Sequence, residues 1–482
     1  MKLSELIKNT GITSISGSTD IDITFATNDS RKVVPGTLFV AVTGCGNDGR
    51  AFIPAAIRAG AAAVICEGWT DYPGCTSVTV ENSRLAAAMV ADAFYGHPSR
   101  ELKLVGITGT NGKTTTVTLL YNMFMKLGYG CGLLSTIANY VGTERLETAN
   151  TTSDPFTINS LMAKMVAAGC EYCFMEVSSI GIEQDRVSGL DFNVGIFSNL
   201  THDHLDYHGT FAEYLRCKKL FFDRLPRKAI AIINADDRNG MIMTQNTKAE
   251  VMTYSCRSIA DHSCRIIEQS FDGMLLRIDG TEVWSRLVGA HNAYNLLAIY
   301  CAAVALGADK EEALVALSSL QPAPGRLESM SGPRGINVII DYAHTPDALE
   351  NVLKTLRDVA PEHQLCCLFG CGGDRDRTKR PEMAAIAEKY ADRIIVTSDN
   401  SRTESTKSII EEIVTGFTPA GKAKAVCIPD RREAIRCAIM FAPQDATILL
   451  AGKGHETYQI IGKEKTHFDE REIVDEIFKT IE

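Results

Sequence analysis

Between Gly106 and Thr115 the chain reads Gly-Ile-Thr-Gly-Thr-Asn-Gly-Lys-Thr-Thr. Glycines at this spacing let backbone amides wrap a phosphate at a helix N-terminus, Lys113 adds charge at the outer phosphates, and the Thr114 hydroxyl reaches a magnesium ion. Ile107 stands where the strict GxxxxGK[ST] pattern has its first glycine, which turns the reading away from a generic ATPase or GTPase. Glu176 ends an apolar run, and a strand-end carboxylate beside a phosphate loop is an oxygen donor to a hard cation. His202, His204 and His208 crowd the next loop; without companion thiolates this reads as magnesium with one histidine ligand rather than a transition-metal cluster. Asn292 and Asn295 lie one helical turn apart, and Asn292 alone reads equally as an N-cap. Arg326, in Pro324-Gly325-Arg326, sits where a closing domain brings its guanidinium to a γ-phosphate. Residues 370–376, 398–402 and 452–456 mix Arg, Asp and Glu in a way that suits a zwitterionic amino acid.

These residues need a frame. Apolar runs at 102–108, 172–177, 194–198 and 229–234 alternate with helical stretches, which predicts a parallel sheet covered on both faces. The phosphate loop then lies between a buried strand and a helix beginning near Thr114. Before it, strands at 37–42 and 61–65 and a helix at 53–59 form a small α/β unit that ends at His97-Pro98-Ser99-Arg100. A helix at 293–306 and the Pro322–Gly325 segment close the central unit, because prolines interrupt interior helices and central strands. Strands at 338–341, 365–369, 393–397 and 447–451 predict a third α/β sheet, with the substrate-like loops at its carboxyl edge. The expected domains are 1–98, 99–322 and 323–482, in line with a 482-residue chain at roughly 100 to 200 residues per domain.

A net charge of −10 supplies no basic footprint for nucleic acid. Lys2, Glu5 and Lys8 interrupt the first ten residues, so no secretory signal is expected, and no apolar run reaches membrane-spanning length. Fifteen cysteines, many inside apolar segments, read as reduced thiols packed as small hydrophobes. Cys170 and Cys173 form a CxxC without a second pair, which is a buried-strand feature rather than a zinc site. The expectation is a cytoplasmic, monomeric enzyme.

The loop at 106–115 resembles the TGTNGKTT signature of the Mur ligases, the ATP-dependent amino-acid ligases of peptidoglycan precursor synthesis, and the resemblance extends over all three domains. It implies an α/β chain of a small N-terminal UDP-binding domain, a central P-loop ATPase-like parallel-sheet domain and a C-terminal Rossmann-like domain. Within the family the motifs are nearest to members that add the third residue of the stem peptide to UDP-N-acetylmuramoyl-L-alanyl-D-glutamate through an acyl phosphate. The resemblance implies ATP contacts at Gly109, Thr110, Asn111, Gly112, Lys113, Thr114, Thr115, Asn292, Asn295, Arg326, Asp341 and His344. It implies Mg2+ held by Thr114, Glu176 and His204, and by Lys218 as a carbamate. Composition alone does not choose between Lys218 and Lys219; the family's Y-x-x-x-K spacing from Tyr214 chooses Lys218, and a carbamate oxygen joins a magnesium site that an ammonium would oppose. Lys113, Lys218, His204 and Arg326 form the implied catalytic set. Ser30, Arg31, Thr151, Thr152, Ser178, Gln184 and Arg186 match UDP-substrate positions, and Arg375, Asp399, Asn400, Arg402, Gly452 and Glu456 match amino-acid positions. Ile180 replaces a histidine frequent in relatives, and Ser401 replaces the proline of the Asp-Asn-Pro-Arg form that adds 2,6-diaminopimelate. Arg402 still favours diaminopimelate over lysine, since its guanidinium pairs with a far carboxylate that lysine lacks. The rival from another class is a nucleotide-switched P-loop protein turning over ATP without a peptide substrate.

Overall fold

The computed structural model describes residues 1–44, 48–68, 71–201 and 205–481. Among these residues three large sheets follow one another along the chain. In the first, the strand order is Ile12–Ser16, Thr76–Val80, Ala61–Glu67, Thr37–Val40 and Phe25–Thr27, parallel except at the Ile12–Ser16 edge. The helix expected at 53–59 runs Ile53–Arg58.

The second sheet carries the phosphate loop. Its parallel middle runs Cys131–Leu134, Tyr172–Glu176, Lys103–Thr108, Phe192–Phe197, Ile230–Asn234 and Glu250–Ser255. Alternate residues of these strands enter two separate cores. Val105, Ile107, Phe174 and Ile196 pack with Leu120, Phe124, Leu296 and Ile299 on one face. Leu104, Cys173, Met175 and Phe197 pack with Met162, Tyr214 and Phe222 on the other. The central strands therefore carry buried apolar residues at consecutive positions, as in Leu104-Val105 and Cys173-Phe174-Met175, rather than only at every second one, and fully burying a side chain such as Phe174 contributes about 1.5 to 3 kcal/mol. Both edges carry antiparallel strands beyond the expected parallel set: Asn139–Val141 and Glu144–Leu146 at one, Gly273–Ile278 and Thr281–Ser285 at the other. The last two join through Asp279 and Gly280, both at positive φ (46° and 90°), the two-residue turn whose twist matches paired strands.

The third sheet has the order Glu328–Ser331, Asn337–Asp341, Thr447–Ala451, Leu365–Phe369, Arg393–Val396 and Ala425–Cys427, parallel after its first strand. Helices Pro346–Val359 and Lys379–Tyr390 cover one face and Arg431–Met440 and Glu470–Ile481 the other. No helix among the described residues is long and apolar enough to cross a membrane.

Candidate functional site

Strand Lys103–Thr108 lies between Tyr172–Glu176 and Phe192–Phe197, so its loop emerges at a crevice with chain leaving to both sides. Gly109, at φ 153°, passes so close to Ser198 that a Cβ would collide with its Oγ. Gly112, at φ 88°, would set a Cβ 2.5 Å from Asn295 Oδ1. Only glycine fits both positions, and the loop so shaped leads straight into the N-terminus of helix Lys113–Lys126, where an anion is favoured. The loop is tied on its far side: Asn199 Oδ1 accepts from Asn111 N at 2.9 Å, Asn199 O accepts from Thr110 N at 2.9 Å, and Ser198 Oγ donates to Asn111 O at 2.7 Å. Lys113 opens helix Lys113–Lys126, and its ammonium donates to Gly109 O at 2.9 Å and Thr110 O at 2.8 Å.

Three further sequence candidates converge on this loop. Glu176, 1% exposed, accepts from Thr114 Oγ1 at 3.0 Å and from Thr136 N at 2.8 Å. Lys218, also 1% exposed, donates to Gly109 O at 2.8 Å and lies 4.7 Å from the centre of the Tyr214 ring. Tyr214 reaches Thr110 Oγ1 at 3.1 Å, so the residue used to pick Lys218 holds the loop itself. Lys219, one position on, instead pairs with Asp223 at 2.7 Å away from the crevice. Arg326 comes from the other side, with Nη2 3.5 Å from Thr114 Oγ1 and its guanidinium 5.0 Å over the Tyr342 ring. His202 and His204 lie outside the described residues, while His208 is buried against Ser179 Oγ at 2.9 Å.

Among the nucleotide candidates, Gly289 rather than Asn292 caps helix Ala290–Ala305; Asn292 sits within the first turn and accepts from Asn295 Nδ2 at 3.0 Å, on one face with it. Asp341 is buried and accepts from Leu327 N and Ala343 N, both at 2.7 Å. Burial raises its pKa, and Arg326 and the two amides offset only part of that rise. His344 holds Tyr342 O through Nδ1 at 2.8 Å. Asp347, which the motif reading passed over, accepts from Asn111 Nδ2 at 2.5 Å and from Thr201 Oγ1 at 3.1 Å. It joins the helix Pro346–Val359 of the third sheet to the phosphate loop of the second.

Four of the UDP-substrate candidates form one network. Thr152 Oγ1 donates to Glu176 O at 2.9 Å and accepts from Ser178 N at 3.0 Å. Arg186 donates to Thr152 O at 2.6 Å and grips Gln184 Oε1 with Nε and Nη2, at 3.1 and 2.7 Å. Thr151 meets Thr136 Oγ1 at 3.1 Å. Ser30 and Arg31 stand apart in a 3-10 turn of the first sheet, where Arg31 is exposed and forms a fork with Asp29.

The amino-acid candidates gather at the carboxyl edge of the third sheet. Asn400 Nδ2 donates to Glu456 Oε2 at 2.9 Å, and Lys453, fully buried, donates to the same oxygen at 3.0 Å and to Asn400 Oδ1 at 3.3 Å. Lys453 was not among the expected contacts although it sits inside one of the three loops; its ammonium balances Glu456 and Asp399, whose Oδ1 is 3.9 Å away. A Cβ on Gly452, at φ 115°, would lie 2.9 Å from Asp399 Oδ2. Arg402, at φ 51°, donates to Gly373 O at 2.9 Å. A left-handed non-glycine backbone is costly and clusters at ligand sites. Arg375 is exposed and bonds only the carbonyl of Asp374 among the described contacts.

His455 and His291 lie within the electrostatic reach of Arg326, His455 with its ring 4.8 Å from that of Tyr342. Burial, with Arg326 nearby, holds His455 down to about 3 and His291 down to about 4, so both are neutral when folded. The unfolded chain binds their protons first as pH drops through the ordinary imidazole range near 6.5. Stability should accordingly be complete above that range and decline toward the folded values, by about 2 kcal/mol per histidine at pH 5. Urea midpoints at pH 7.5 and 5.0 check this, and the His291→Gln/His455→Gln variant should show the shallower decline.

A glycine-rich loop at a helix start, a buried carboxylate and a guanidinium reaching in from the approach to another sheet are the parts of a nucleotide-binding P-loop site. Family models described as "Mur ligase family, catalytic domain", "Mur ligase middle domain" and "Mur ligase, glutamate ligase domain" match residues 22–97, 107–303 and 325–454. The chain is 50% identical over 483 residues to the UDP-N-acetylmuramoyl-L-alanyl-D-glutamate–2,6-diaminopimelate ligase of Parabacteroides distasonis, covering 100% of this chain and 99% of that one. It is 48% identical over 484 residues to the protein of the same name from Cytophaga hutchinsonii, with 100% of both covered. A solved structure of that name superposes with a TM-score of 0.72 at 31% identity, covering 100% of this chain and 99% of the other. The MurF ligase of Thermotoga maritima in complex with ADP shares the fold, with a TM-score of 0.64 at 19% identity over 94% of this chain and 97% of that one. The chain belongs to the Mur ligase family, whose members form amide bonds in an ATP-dependent reaction.

Proposed function

We propose that this chain adds 2,6-diaminopimelate to UDP-N-acetylmuramoyl-L-alanyl-D-glutamate in peptidoglycan precursor synthesis. The D-glutamyl side-chain carboxylate attacks the γ-phosphorus of ATP, giving an acyl phosphate and ADP; the amine of the amino acid then attacks the acyl carbon, and phosphate leaves. What supports the reading above all is Arg326 beside Thr114, a guanidinium from the third sheet's approach reaching the phosphate loop of the second. Lys113 and Arg326 neutralise the transferred phosphoryl group, and Asn292, Asn295, Asp341 and His344 border the nucleotide. Thr151, Thr152, Ser178, Gln184 and Arg186, with Ser30 and Arg31 at the uridine end, orient the UDP substrate.

Magnesium fits the adjacent hydroxyl and carboxylate of Thr114 and Glu176, hard oxygen donors that leave coordination positions for phosphate and water. His204 and Lys218 as its carbamate complete the proposed set. Bound there, the ion draws charge from the phosphate oxygens. Carbamylation would leave Lys218 one N–H with which to donate to Gly109 O, as the ammonium does.

Arg375, Asp399, Asn400, Arg402, Gly452 and Glu456 receive the amino acid, with Arg402 on its far carboxylate. Removing one member of a buried charged pair costs about 2 to 5 kcal/mol. Incubation with ATP, the UDP substrate and equal diaminopimelate and lysine should yield the diaminopimelate product, read by mass; a dominant lysine product overturns the assignment. Arg402→Ala should lose diaminopimelate addition by well over tenfold while keeping UDP-substrate binding. Phosphate release that needs neither the UDP substrate nor the amino acid would instead favour a nucleotide switch.

A further inference from the structure

Arg431 and Glu470 both open helices on the face of the third sheet away from helices Pro346–Val359 and Lys379–Tyr390, and both side chains are completely buried. The guanidinium does more than meet its carboxylate. Nε donates to Glu470 Oε1 at 2.8 Å, Nη1 to Ser398 O at 3.1 Å and Nη2 to Ala451 O at 2.9 Å. Those carbonyls lie at the ends of strands that are not neighbours, Ala451 closing Thr447–Ala451 and Ser398 two residues past Arg393–Val396, with Leu365–Phe369 between them. Directly after Ser398 come Asp399 and Asn400; directly after Ala451 come Gly452 and Lys453. One planar group thus ties the roots of the two loops that meet through Asn400, Lys453 and Glu456. Gln459, itself buried, steadies the same segment by donating to Ser398 Oγ at 2.9 Å and Asp399 O at 3.2 Å.

A buried ion pair often stabilises no more than apolar side chains of equal volume would. Here burial raises the Glu470 pKa, and its Oε2 has no hydrogen-bond partner. The pair is therefore a poor stabiliser, and its geometry is that of a spacer. We propose that Arg431, seated on Glu470, is a positioning residue that sets the separation of the 398–402 and 452–456 loops and thereby the affinity for the amino-acid substrate. The inference rests on reading those loops as the amino-acid site.

Two variants test it. Arg431→Lys keeps the charge, but a single ammonium does not span two carbonyls and a carboxylate. Arg431→Met/Glu470→Leu removes both charges together, so neither is left buried alone. In each, the KM for diaminopimelate should rise on the order of tenfold or more, as misplaced binding groups do, while the KM values for ATP and the UDP substrate stay within about twofold. The double variant should still fold cooperatively but melt below wild type, since Ser398 O and Ala451 O lose their donor. An unchanged diaminopimelate KM in either folded variant, or three KM values rising together, overturns the proposal. So does failure of both variants to fold, which would make the pair a core element. If only one folds, it decides by the same criteria. Wild-type enzyme that makes no diaminopimelate product refutes the proposed function itself, whereas a normal wild type with insensitive variants refutes only the role of Arg431.

Discussion

Lys113→Ala should suppress ADP release in the presence of both other substrates by on the order of a hundred- to a thousandfold or more, because phosphoryl transfer depends almost wholly on positioning and charge neutralisation. The ammonium lies against Gly109 O and Thr110 O, where an anion cradled by the loop would meet it. Loop shape should survive, since Asn199 and Ser198 hold it from the other side. Glu176→Ala should lose acyl phosphate formation as well, with a somewhat larger stability loss because Thr136 N and Thr114 Oγ1 then lack their acceptor. Single-turnover ADP release with parallel thermal melts separates chemistry from folding. Wild-type release by either folded variant would show that the phosphate and magnesium site has been assigned to the wrong residues.

Lys218→Ala should abolish ligation, and bicarbonate should restore none of it. Excess acetate or another short carboxylic acid should restore a part, because the cavity left by the side chain opens beside Gly109 and accepts a free carboxylate where the carbamate would have been. Lys219→Ala, which loses its ion pair with Asp223 outside the phosphate loop, should stay near wild type. Product formation with and without added acid reads the effect. Near-normal turnover by the Lys218 variant would remove the carbamate from the reaction.

The phosphate loop was legible because its glycines are demanded by local geometry: Gly109 and Gly112 have no room for a Cβ, and that constraint is visible as spacing. Strands such as Leu365–Phe369 were legible because burial on both faces leaves a continuous apolar run. The antiparallel edges were missed despite an available cue, for Asp279-Gly280 is among the strongest short hairpin signals. Asn292 looked like a cap because an asparagine near a helix start usually is one, yet Gly289 begins this helix and frees Asn292 to face Asn295. Arg431 and Glu470 were invisible for a different reason. Each opens a helix among other charges, where solvated residues are the rule, and nothing in 39 positions of separation announces that they meet. Asp347 likewise meets Asn111 and Thr201 only when two sheets come together.

The ties on the phosphate loop also set a schedule for synthesis. Thr110 and Asn111 bond to Asn199 and Thr201 across 88 to 91 positions of chain, Gly112 rests on Asn295, and Asn111 on Asp347 across 236. Contacts of such long sequence separation form late, because the entropy of closing the chain is lost before they exist. A growing chain therefore displays the Gly-rich segment long before it owns a nucleotide site, and the loop acquires its final shape only after the ribosome has passed the last of its distant partners.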